Sequence, residues 1–249
     1  MKNSLNDNIE WFEEWFDSEY YHILYKDRDE TEARKFITNL IAYFSPKKEA
    51  YFVDVACGKG RHSLFLNRLG FNVDGFDLSE NSIENAKSFE NEHLHFFVND
   101  IRTPLKTNAY DYAFNLFTSF GYFKDEKDNQ IAINSIAESI KENGTIVLDF
   151  MNCNKVIRQL NKVESKTIDS IQFDITREVN EGFIVKNINF SAHNNSFHFQ
   201  ERVKAISLAM FKSYFNAANL KIEAIFGDYN LNSFDEENSD RLILVAKKI

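Results

Sequence analysis

Cysteine, proline and glycine are scarce in this chain of 249 residues, which has two, two and eight of them. A chain of this length buries enough apolar surface to fold without cross-links, so Cys57 and Cys153 need not form a disulfide. Two cysteines are also too few for a secreted disulfide framework or a zinc site. The sequence contains no internal repeat, low-complexity tract or linker rich in proline and glycine.

Long apolar runs and basic clusters are missing as well. No apolar run reaches the roughly 18 residues that a membrane helix needs, and the N-terminus lacks an apolar stretch with a small-residue cleavage site. We therefore expect a cytoplasmic protein without a signal peptide. The formal net charge is −9, and phosphate neutralisation dominates nucleic-acid affinity, so the composition argues against DNA or RNA as a substrate.

Strand-like and helix-like segments alternate in the first part of the chain. Five runs predict strands, at residues 51–55, 71–76, 93–98, 110–116 and 145–150. Alternation with helices implies an α/β protein with a parallel sheet covered on both faces. Near the C-terminus, strands at 221–226 and 242–246 predict a hairpin, which would place an antiparallel strand at the end of the sheet.

Two regions depart from this alternation. Apolar residues at helical spacing in the first 45 residues predict N-terminal helices that stop before Pro46. Between residues 163 and 206, polar and apolar residues alternate, and turn signals at 180–182 and 194–195 divide the segment. This pattern predicts an antiparallel meander.

The strongest signal is a glycine loop between a predicted strand and helix, Val53-Asp54-Val55-Ala56-Cys57-Gly58-Lys59-Gly60. Glycine lets the backbone turn sharply and lets a ligand approach without an intervening Cβ. The following helix presents its N–H groups to the crevice. As a dinucleotide fingerprint the loop is imperfect, because Ser63 replaces the third glycine or alanine and Asp54 interrupts the apolar strand. Both features disfavour NAD.

Acidic residues follow the second and third predicted strands. Asp77 could accept hydrogen bonds from both hydroxyls of a ribose, or it could simply begin the helix capped by Ser79. With the glycine loop upstream, we favour ribose binding. Asp100 could accept from an adenine amino group while Ile101 packs on the ring, and the alternative is a solvated turn residue.

These segments resemble the class I S-adenosylmethionine (SAM)-dependent methyltransferases in order and spacing. The motif Ala-Cys-Gly-x-Gly followed by Asp-Leu-Ser resembles the first motif of the family and its acidic follow-up. Residues 110–117 and 141–145 resemble its fourth strand and the turn before the fifth. The resemblance covers about residues 48–150 and 207–249, and it implies a Rossmann-like, seven-stranded, mostly parallel sheet with an antiparallel last strand.

The resemblance also implies one methyltransferase domain over residues 1–249. Residues 1–45 would form a helical lid over the cofactor. Residues 46–150 and 207–249 would form the SAM-binding core, and residues 163–206 an antiparallel insertion over the active site, as in small-molecule members of the family.

By the same resemblance, SAM would contact a defined set of residues. In the core these are Ala56, Cys57, Gly58, Gly60, Asp77, Leu78, Asp100, Ile101, Asn115 and Leu116. The loop would line the methionine part, and Asn115 with Leu116 would lie beside the sulfonium. In the lid, Tyr25 is a candidate wall and Arg28 a candidate partner for the SAM carboxylate; Arg28 could instead be an exposed residue of a packing helix.

Residues after the fourth strand are candidates for the substrate side, because the carboxyl ends of parallel strands open onto the crevice. The candidates are Phe117, Thr118, Ser119 and Tyr122, together with His62. His62 could equally be an ordinary first-turn residue of its helix. Methyl transfer depends largely on positioning, and a base is needed only for a protonated acceptor, so we assign no catalytic residue.

Some subclasses are excluded. After the fourth strand the chain lacks both the Pro-Pro tetrapeptide of amino-methylating DNA and RNA enzymes and a cysteine that could attack a pyrimidine. No carboxylate cluster has metal-binding spacing, so we expect no metal. The predicted function is SAM-dependent methylation of an N or O atom of a small molecule. The alternatives are an NAD-linked oxidoreductase and an inactive SAM-fold binding protein.

Overall fold

A computed structural model describes residues 11–26 and 30–249. The chain divides into two compact units. The main unit comprises Asp29–Gln159 and Lys204–Ile249, and the meander unit comprises Met1–Arg28 and Leu160–Val203. Within the described ranges, none of the helices is both long and apolar enough to cross a membrane.

The helices and strands follow one another closely along the described chain. The helices are α1 (Trp11–Phe16), α2 (Glu19–Leu24), α3 (Glu30–Phe44), α4 (Arg61–Arg68), α5 (Glu80–Lys87), α6 (Glu126–Ser139), α7 (Cys153–Arg158) and α8 (Leu208–Ala217). The strands are β1 (Tyr51–Val55), β2 (Asn72–Asp77), β3 (Leu94–Val98), β4 (Tyr110–Asn115), β5 (Ile140–Met151), β6 (Val163–Ile168), β7 (Ile171–Asn180), β8 (Phe183–Ala192), β9 (Asn195–Lys204), β10 (Leu220–Phe226) and β11 (Arg241–Lys248).

The main unit is built on a seven-stranded sheet with the order β10-β11-β5-β4-β1-β2-β3. Strands β1 to β5 pair in parallel, whereas β11 runs antiparallel to both β5 and β10. The predicted α/β class with an antiparallel last strand is confirmed. The reversed strand is second from the edge rather than at the end of the sheet, because β10 lies outside it.

Strand β5 begins earlier than the sequence predicts. Ile140 already pairs with Tyr110, and after a shift of register Thr145 pairs with Tyr112. The Asn143-Gly144 step, which is predicted from the sequence to lie in the turn before the fifth strand, therefore lies inside an irregular part of that strand, and α6 ends at Ser139. The short helix α7 is an element that the sequence analysis does not predict.

Helix α3 packs into the core of the main unit. Phe36, Ile37 and Leu40 are fully buried in one apolar cluster with Phe52 and Phe114 of the sheet. Burial of such a face is what stabilises an amphipathic helix. The sequence analysis groups α3 with the lid, whereas α3 belongs to the main unit and the described helices before it belong to the meander unit.

The meander unit contains the predicted antiparallel sheet, with the order β6-β7-β8-β9. Trp15, Tyr20 and Leu24 of α1 and α2 share a buried apolar cluster with residues of β7 and β8, which include Phe173 and Phe190. The N-terminal helices and the meander therefore have a core of their own. The roles of residues 1–45 as a lid and of residues 163–206 as an insertion over the active site remain predictions.

Candidate active site

The glycine loop leaves β1 in a left-handed conformation. Ala56, Gly58 and Gly60 have φ angles of 56°, 55° and 78°, a region that glycine enters without steric cost. The amide of Cys57 donates to the carbonyl oxygen of Phe76 at 2.9 Å, which ties the loop to β2. The loop thus lies at the carboxyl edge of the parallel strands, where open α/β sheets bind their ligands.

The two glycines of the loop meet different surroundings. A Cβ atom added to Gly58 would have no described atom within 4 Å, so this face of the loop opens onto free space. A Cβ atom added to Gly60 would lie 2.5 Å from the ring of Phe96, so glycine is required there for packing. Of the two, Gly58 is the one that keeps a surface clear for a ligand.

Asp77 ends β2 and directs its half-buried carboxylate toward the loop. Its Oδ2 accepts from the amide of Gly58 at 2.7 Å. Its Oδ1 accepts from the amide of Ser79 at 3.0 Å, and Ser79 caps α5. Asp77 therefore makes the helix-starting contact that the sequence analysis offers as an alternative, and it also lies against the loop. The structure brings these two parts of the predicted cofactor site together.

Asp54, the acidic residue within β1, holds the first turn of α4. It is buried, and its Oδ2 accepts from the amide and the hydroxyl of Ser63 at 3.0 and 2.6 Å. Burial raises the pKa of Asp54 to about 7, although the bonds from Ser63 oppose this shift. A Cβ atom at Gly75 would lie 2.8 Å from Ser63 Oγ. Asp54 and Ser63, the two residues that depart from the dinucleotide fingerprint, are thus hydrogen-bonded to each other.

Asp100 follows β3 at the same edge of the sheet, where the amide of Asn99 donates to the carbonyl oxygen of Asp77 at 3.0 Å. Its carboxylate is held by Arg102, whose Nε and Nη2 lie 3.0 and 2.6 Å from Oδ2. Burial raises the pKa of Asp100, but the bonds from Arg102 outweigh it, so the pKa is lowered. An adenine amino group would share this carboxylate with Arg102. The contacts of Asp100 and Ile101 with adenine remain predictions.

Asn115 links the ends of β4 and β1. It is fully buried, and its Nδ2 donates to the carbonyl oxygens of Val55 and Ser119 at 3.0 and 3.2 Å. Its Oδ1 has no hydrogen-bond partner among the described residues, which is uncommon for a buried amide. Leu116 beside it is 3% exposed. The two residues predicted to lie near the sulfonium are therefore buried at the same edge of the sheet as the loop.

After Leu116 the chain enters a strained turn. Phe117 and Thr118 have φ angles of 58° and 62°, a region that is unusual for aromatic and β-branched residues. Ser119 and Tyr122, two predicted substrate contacts, bond back to this segment. Ser119 Oγ donates to the Leu116 carbonyl at 2.8 Å, and the Tyr122 hydroxyl donates to the Thr118 carbonyl at 2.5 Å.

The sequence analysis missed the residues that support this turn. Asp149 of β5 is fully buried, and its Oδ2 accepts from the amide of Phe117 at 2.8 Å. Arg241, the first residue of β11, donates through Nε to Asp149 Oδ1 and through Nη2 to Thr118 Oγ1, both at 2.8 Å. The Tyr229 hydroxyl donates to Asp149 Oδ2 at 3.2 Å. The available signal was an aspartate within the apolar run of β5.

Electrostatics and stacking keep this group in place. Burial would lower the pKa of Arg241, but the charge of Asp149 outweighs it and raises that pKa. Burial and the charge of Asp149 both raise the pKa of Tyr229. The ring of Tyr229 stacks on Phe117 at 5.1 Å and an interplanar angle of 26°. Phe117 is thus held by its backbone and by its ring.

His62 and Arg61, at the start of α4, contact the same aromatic side chain. The ring of His62 lies 5.1 Å from that of Phe117, and the guanidinium carbon of Arg61 lies 4.3 Å from the Phe117 centroid. His62 is 6% exposed, and its Nε2 has no partner among the described residues. Burial, helped by the charge of Arg61, lowers the pKa of His62 to about 3, so the ring is neutral at physiological pH.

A cavity of about 200 Å³ opens beside these residues, along α3 and α4. Its described lining consists of Ala33, Arg34, Arg61, His62, Leu64, Phe65, Arg68 and Phe89. Three of these residues are arginines and none is acidic, in a chain with a net charge of −9. Sites for drug-sized ligands span roughly 300–1,000 Å³, so this cavity is smaller than a typical ligand site.

Tyr25, one of the two predicted lid residues, forms hydrogen bonds within the meander unit. Tyr25 belongs to the meander unit, where its hydroxyl donates to Glu201 Oε1 at 2.5 Å and accepts from Lys186 Nζ. Trp15 Nε1 donates to the same Glu201 oxygen at 2.8 Å. Arg28 lies outside the described residues. The contacts of Tyr25 and Arg28 with SAM remain predictions.

The described part of the chain contains both cysteines and all six histidines. No group of three or more histidine, cysteine or acidic residues there is placed to share a metal ion. Cys57 and Cys153 are free and buried. Burial raises the pKa of Cys57 well above its ordinary value and that of Cys153 to about 12, so both thiols stay protonated and are poor nucleophiles.

Comparison with protein families gives one match that covers more than half of the chain. A family model described as a methyltransferase domain matches residues 46–200. The matched segment includes the glycine loop, Asp77, Asn115 and the Phe117–Thr118 turn. Arg241, which supports that turn, lies beyond it.

Among curated proteins, the chain is similar to the dTDP-3-amino-3,4,6-trideoxy-α-D-glucopyranose N,N-dimethyltransferase of Streptomyces venezuelae. The two are 26% identical over 135 residues, which cover 53% of this chain and 56% of that protein. A relative from Geobacillus sp. (strain WCH70) is also 26% identical, over 48% of its length. The chain thus spans about half the length of the curated relatives it matches.

Solved structures share the fold over nearly the whole chain. A SAM-dependent methyltransferase from Clostridium acetobutylicum gives a TM-score of 0.78 at 18% identity, covering 92% of this chain and 96% of that one. An amino pentose methyltransferase from Micromonospora echinaspora, solved with bound SAM, gives 0.70 at 17% identity, with coverages of 93% and 98%. At such identities the likeness establishes the fold alone.

Proposed function

We propose that this chain, which belongs to the methyltransferase domain family, transfers a methyl group from SAM to a small molecule. The observation that carries the proposal is the contact between the Gly58 amide and Asp77 Oδ2, at 2.7 Å. It joins a loop with an open glycine face to a carboxylate at the carboxyl edge of the sheet. Such an edge is the usual place for a nucleoside ligand.

The described residues fit SAM in two respects. The face at Gly58 is open, with no described atom within 4 Å of an added Cβ, and Asn115 Oδ1 is a buried acceptor without a donor among the described residues. We assign the methionine part to Ala56, Cys57, Gly58 and Gly60, the ribose to Asp77 with Leu78, and the adenine to Asp100 with Ile101. When bound, SAM supplies an electrophilic methyl group, and Asn115 and Leu116 would lie beside it.

The residues around Phe117 favour an amine as the methyl acceptor. An alcohol must lose its proton to become a good nucleophile, whereas a neutral amine attacks directly, and an effective base has a pKa near the working pH. The pKa of His62 is about 3, so it is a poor base. Asp54 has a pKa of about 7 but is buried beneath Ser63. These residues therefore orient and enclose an acceptor rather than deprotonate it.

The arginine-lined cavity favours an acceptor that carries an anionic group. Guanidinium groups bind phosphate through paired, charge-assisted hydrogen bonds. Arg61 borders both the cavity and Phe117, so a phosphate bound there would lie close to the proposed transfer site. The curated relative from S. venezuelae is named for an amino sugar linked to a nucleoside diphosphate. We accordingly propose an amino sugar nucleotide as the substrate class.

The test has two stages. Calorimetry should detect binding of SAM and S-adenosylhomocysteine (SAH) but none of NADH. Transfer from methyl-labelled SAM is then measured to dTDP-3-amino-3,4,6-trideoxy-α-D-glucopyranose, to its analogue with a hydroxyl in place of the amine, and to the free amino sugar. We expect transfer to the first probe above the other two. Failure to bind SAM would refute the enzyme proposal, and equal transfer to all three probes would refute the substrate class.

A further inference from the structure

A buried polar network of the main unit lies at the Phe117–Thr118 turn. Asp149 and Arg241 form an ion pair at 2.8 Å, and their side chains are 0% and 19% exposed. Burying such a pair is unfavourable unless further hydrogen bonds satisfy both partners. Here those further bonds reach the turn, from the Phe117 amide to Asp149 and from Arg241 to the Thr118 hydroxyl.

The turn requires this support. Left-handed backbone is uncommon at residues other than glycine, and strained positions persist only where their surroundings hold them. Asp149 binds both amides of the turn, because its carboxylate accepts from Phe117 and its own carbonyl oxygen accepts from Thr118 at 3.0 Å. Strain of this kind is concentrated at functional sites.

We infer that Arg241 and Asp149 are positioning residues for methyl transfer, which act through the Phe117–Thr118 turn to fix the Phe117 ring beside the acceptor. Neither residue touches SAM or the acceptor in this scheme. The effect on methyl transfer rests on the proposed function, whereas the claim that Arg241 and Asp149 hold the turn in place does not.

The network depends on the planar, forked geometry of the Arg241 guanidinium group. Nε faces Asp149 while Nη2 faces Thr118, and the guanidinium carbon lies 5.5 Å from the Tyr229 centroid. A lysine would keep the charge, but one ammonium nitrogen on a flexible stem does not reproduce a planar fork with two fixed directions. Arg241→Lys therefore keeps a cation beside Asp149 while breaking the link to Thr118.

Four single variants separate positioning from simple stability. Arg241→Lys and Thr118→Val each remove the bond between Arg241 and Thr118, and Thr118→Ser keeps the hydroxyl. Lys248→Gln is the matched control, because Lys248 donates to Ile140 and Asn108 from the other end of the same strand. The double variant Arg241→Lys/Thr118→Val tests whether the two residues act through one bond.

Two independent readouts are needed. Hydrogen exchange followed by mass spectrometry reports on a peptide spanning residues 115–123, with no substrate present. Initial rates with methyl-labelled SAM and dTDP-3-amino-3,4,6-trideoxy-α-D-glucopyranose give kcat and KM, and calorimetry gives the affinity for SAH. All variants are compared at a temperature where each remains folded.

We expect Arg241→Lys and Thr118→Val to speed exchange in this peptide and to lower kcat by about tenfold or more, since small misplacements are costly in transfer reactions. Affinity for SAH should stay within about threefold, and the double variant should be no worse than either single one. Thr118→Ser, which keeps the hydroxyl, should lose less than Thr118→Val, and Lys248→Gln should resemble the parent.

Several results would overturn the inference. Unchanged exchange in Arg241→Lys would show that the pair does not hold the turn. Faster exchange with unchanged kcat would show that the turn is not needed for transfer. Additive losses in the double variant would show that Arg241 and Thr118 do not act through one bond. If the parent chain methylates none of the probes, the proposed function fails and the role in transfer fails with it, while the exchange data still decide the hold on the turn.

Discussion

The loop after β1 and the turn after β4 both carry left-handed backbone at the carboxyl edge of the sheet, but they reach it by different means. In the loop, Gly58 and Gly60 adopt positive φ angles that glycine tolerates by itself. In the turn, Phe117 and Thr118 adopt them because Asp149 binds both of their amides.

The two segments differ in how well their backbone conformation can be predicted from the sequence alone. Glycine is the residue that most readily adopts positive φ angles, so the conformation of the loop can be predicted without a structure. The turn depends on residues that lie far along the chain, and Phe117 and Thr118 by themselves suggest nothing unusual. A conformation held by tertiary contacts should also be easier to lose by mutation at a distance.

The largest expected effect is the loss of the cation beneath the turn. Arg241→Met leaves the Asp149 carboxylate buried without its partner, so the free energy of unfolding should fall by about 3–5 kcal/mol. Urea denaturation measures this. Lys141→Met breaks an exposed pair with Asp111 and should cost at most about 1 kcal/mol. Equal losses in the two variants would contradict the special status of the buried pair.

The next largest effect should be a loss of SAM affinity at the glycine loop. Asp77→Ala removes the carboxylate proposed to bind the ribose, and charge-assisted hydrogen bonds contribute roughly 1.5–3 kcal/mol each. Affinity for SAM in calorimetry should therefore fall by at least about tenfold. The control is Asp111→Ala, whose carboxylate accepts from the Tyr51 amide at the opposite end of β1. Unchanged affinity in Asp77→Ala would remove Asp77 from the cofactor site.

Replacing each of the two loop glycines with alanine should distinguish a role in packing from a role in ligand binding. Gly60→Ala forces a Cβ against Phe96 and should destabilise the fold by about 1–3 kcal/mol. Gly58→Ala should carry backbone strain of about 1–2 kcal/mol and weaken SAM binding. Gly70→Ala is the control, since it also has a positive φ and open space around the added atom. If Gly58→Ala and Gly70→Ala bind SAM equally well, the open face of the loop is not a cradle for the ligand.

The smallest effect concerns Asp54 and pH. Burial raises its pKa to about 7 from 3.8, so the folded state holds a proton that the unfolded state has released. Its contribution to stability is full below about pH 4 and is lost as the pH rises through 7. Asp54→Asn cannot ionise, so relative to the parent it should gain about 1.4 kcal/mol between pH 6 and pH 8. A pH-independent difference would contradict this assignment.

The sequence was sufficient to predict which segments with local signals meet at one edge of the sheet. The loop at 56–60, the end of β2 at Asp77 and the end of β4 at Asn115 meet at one edge, because parallel strands must deliver their carboxyl ends there. The start of β5 at Ile140 was missed, because pairing with Tyr110 overrides the local turn signal at Asn143-Gly144.

Long-range pairs were beyond a sequence argument. Nothing near Asp149 indicates that its cation is Arg241, 92 residues later. The separate packing of α3 was likewise hidden, since its apolar face looks the same whichever core it enters. The pairing of Asp54 with Ser63 explains two features that had looked like defects in a fingerprint, and it needed side-chain positions to be recognised.

The place of β11 has a consequence for synthesis on the ribosome. Strands β1 to β5 emerge first, so a nascent chain can assemble the parallel half of the sheet while the codons for β11 are still untranslated. Until β11 is synthesised, Asp149 lacks its ion-pair partner Arg241, and the Phe117–Thr118 turn lacks the hydrogen bond that Arg241 donates to Thr118. A chain released before residue 241 would therefore lack the ion pair that supports this turn, and under the proposed function it would lack the support of the acceptor side.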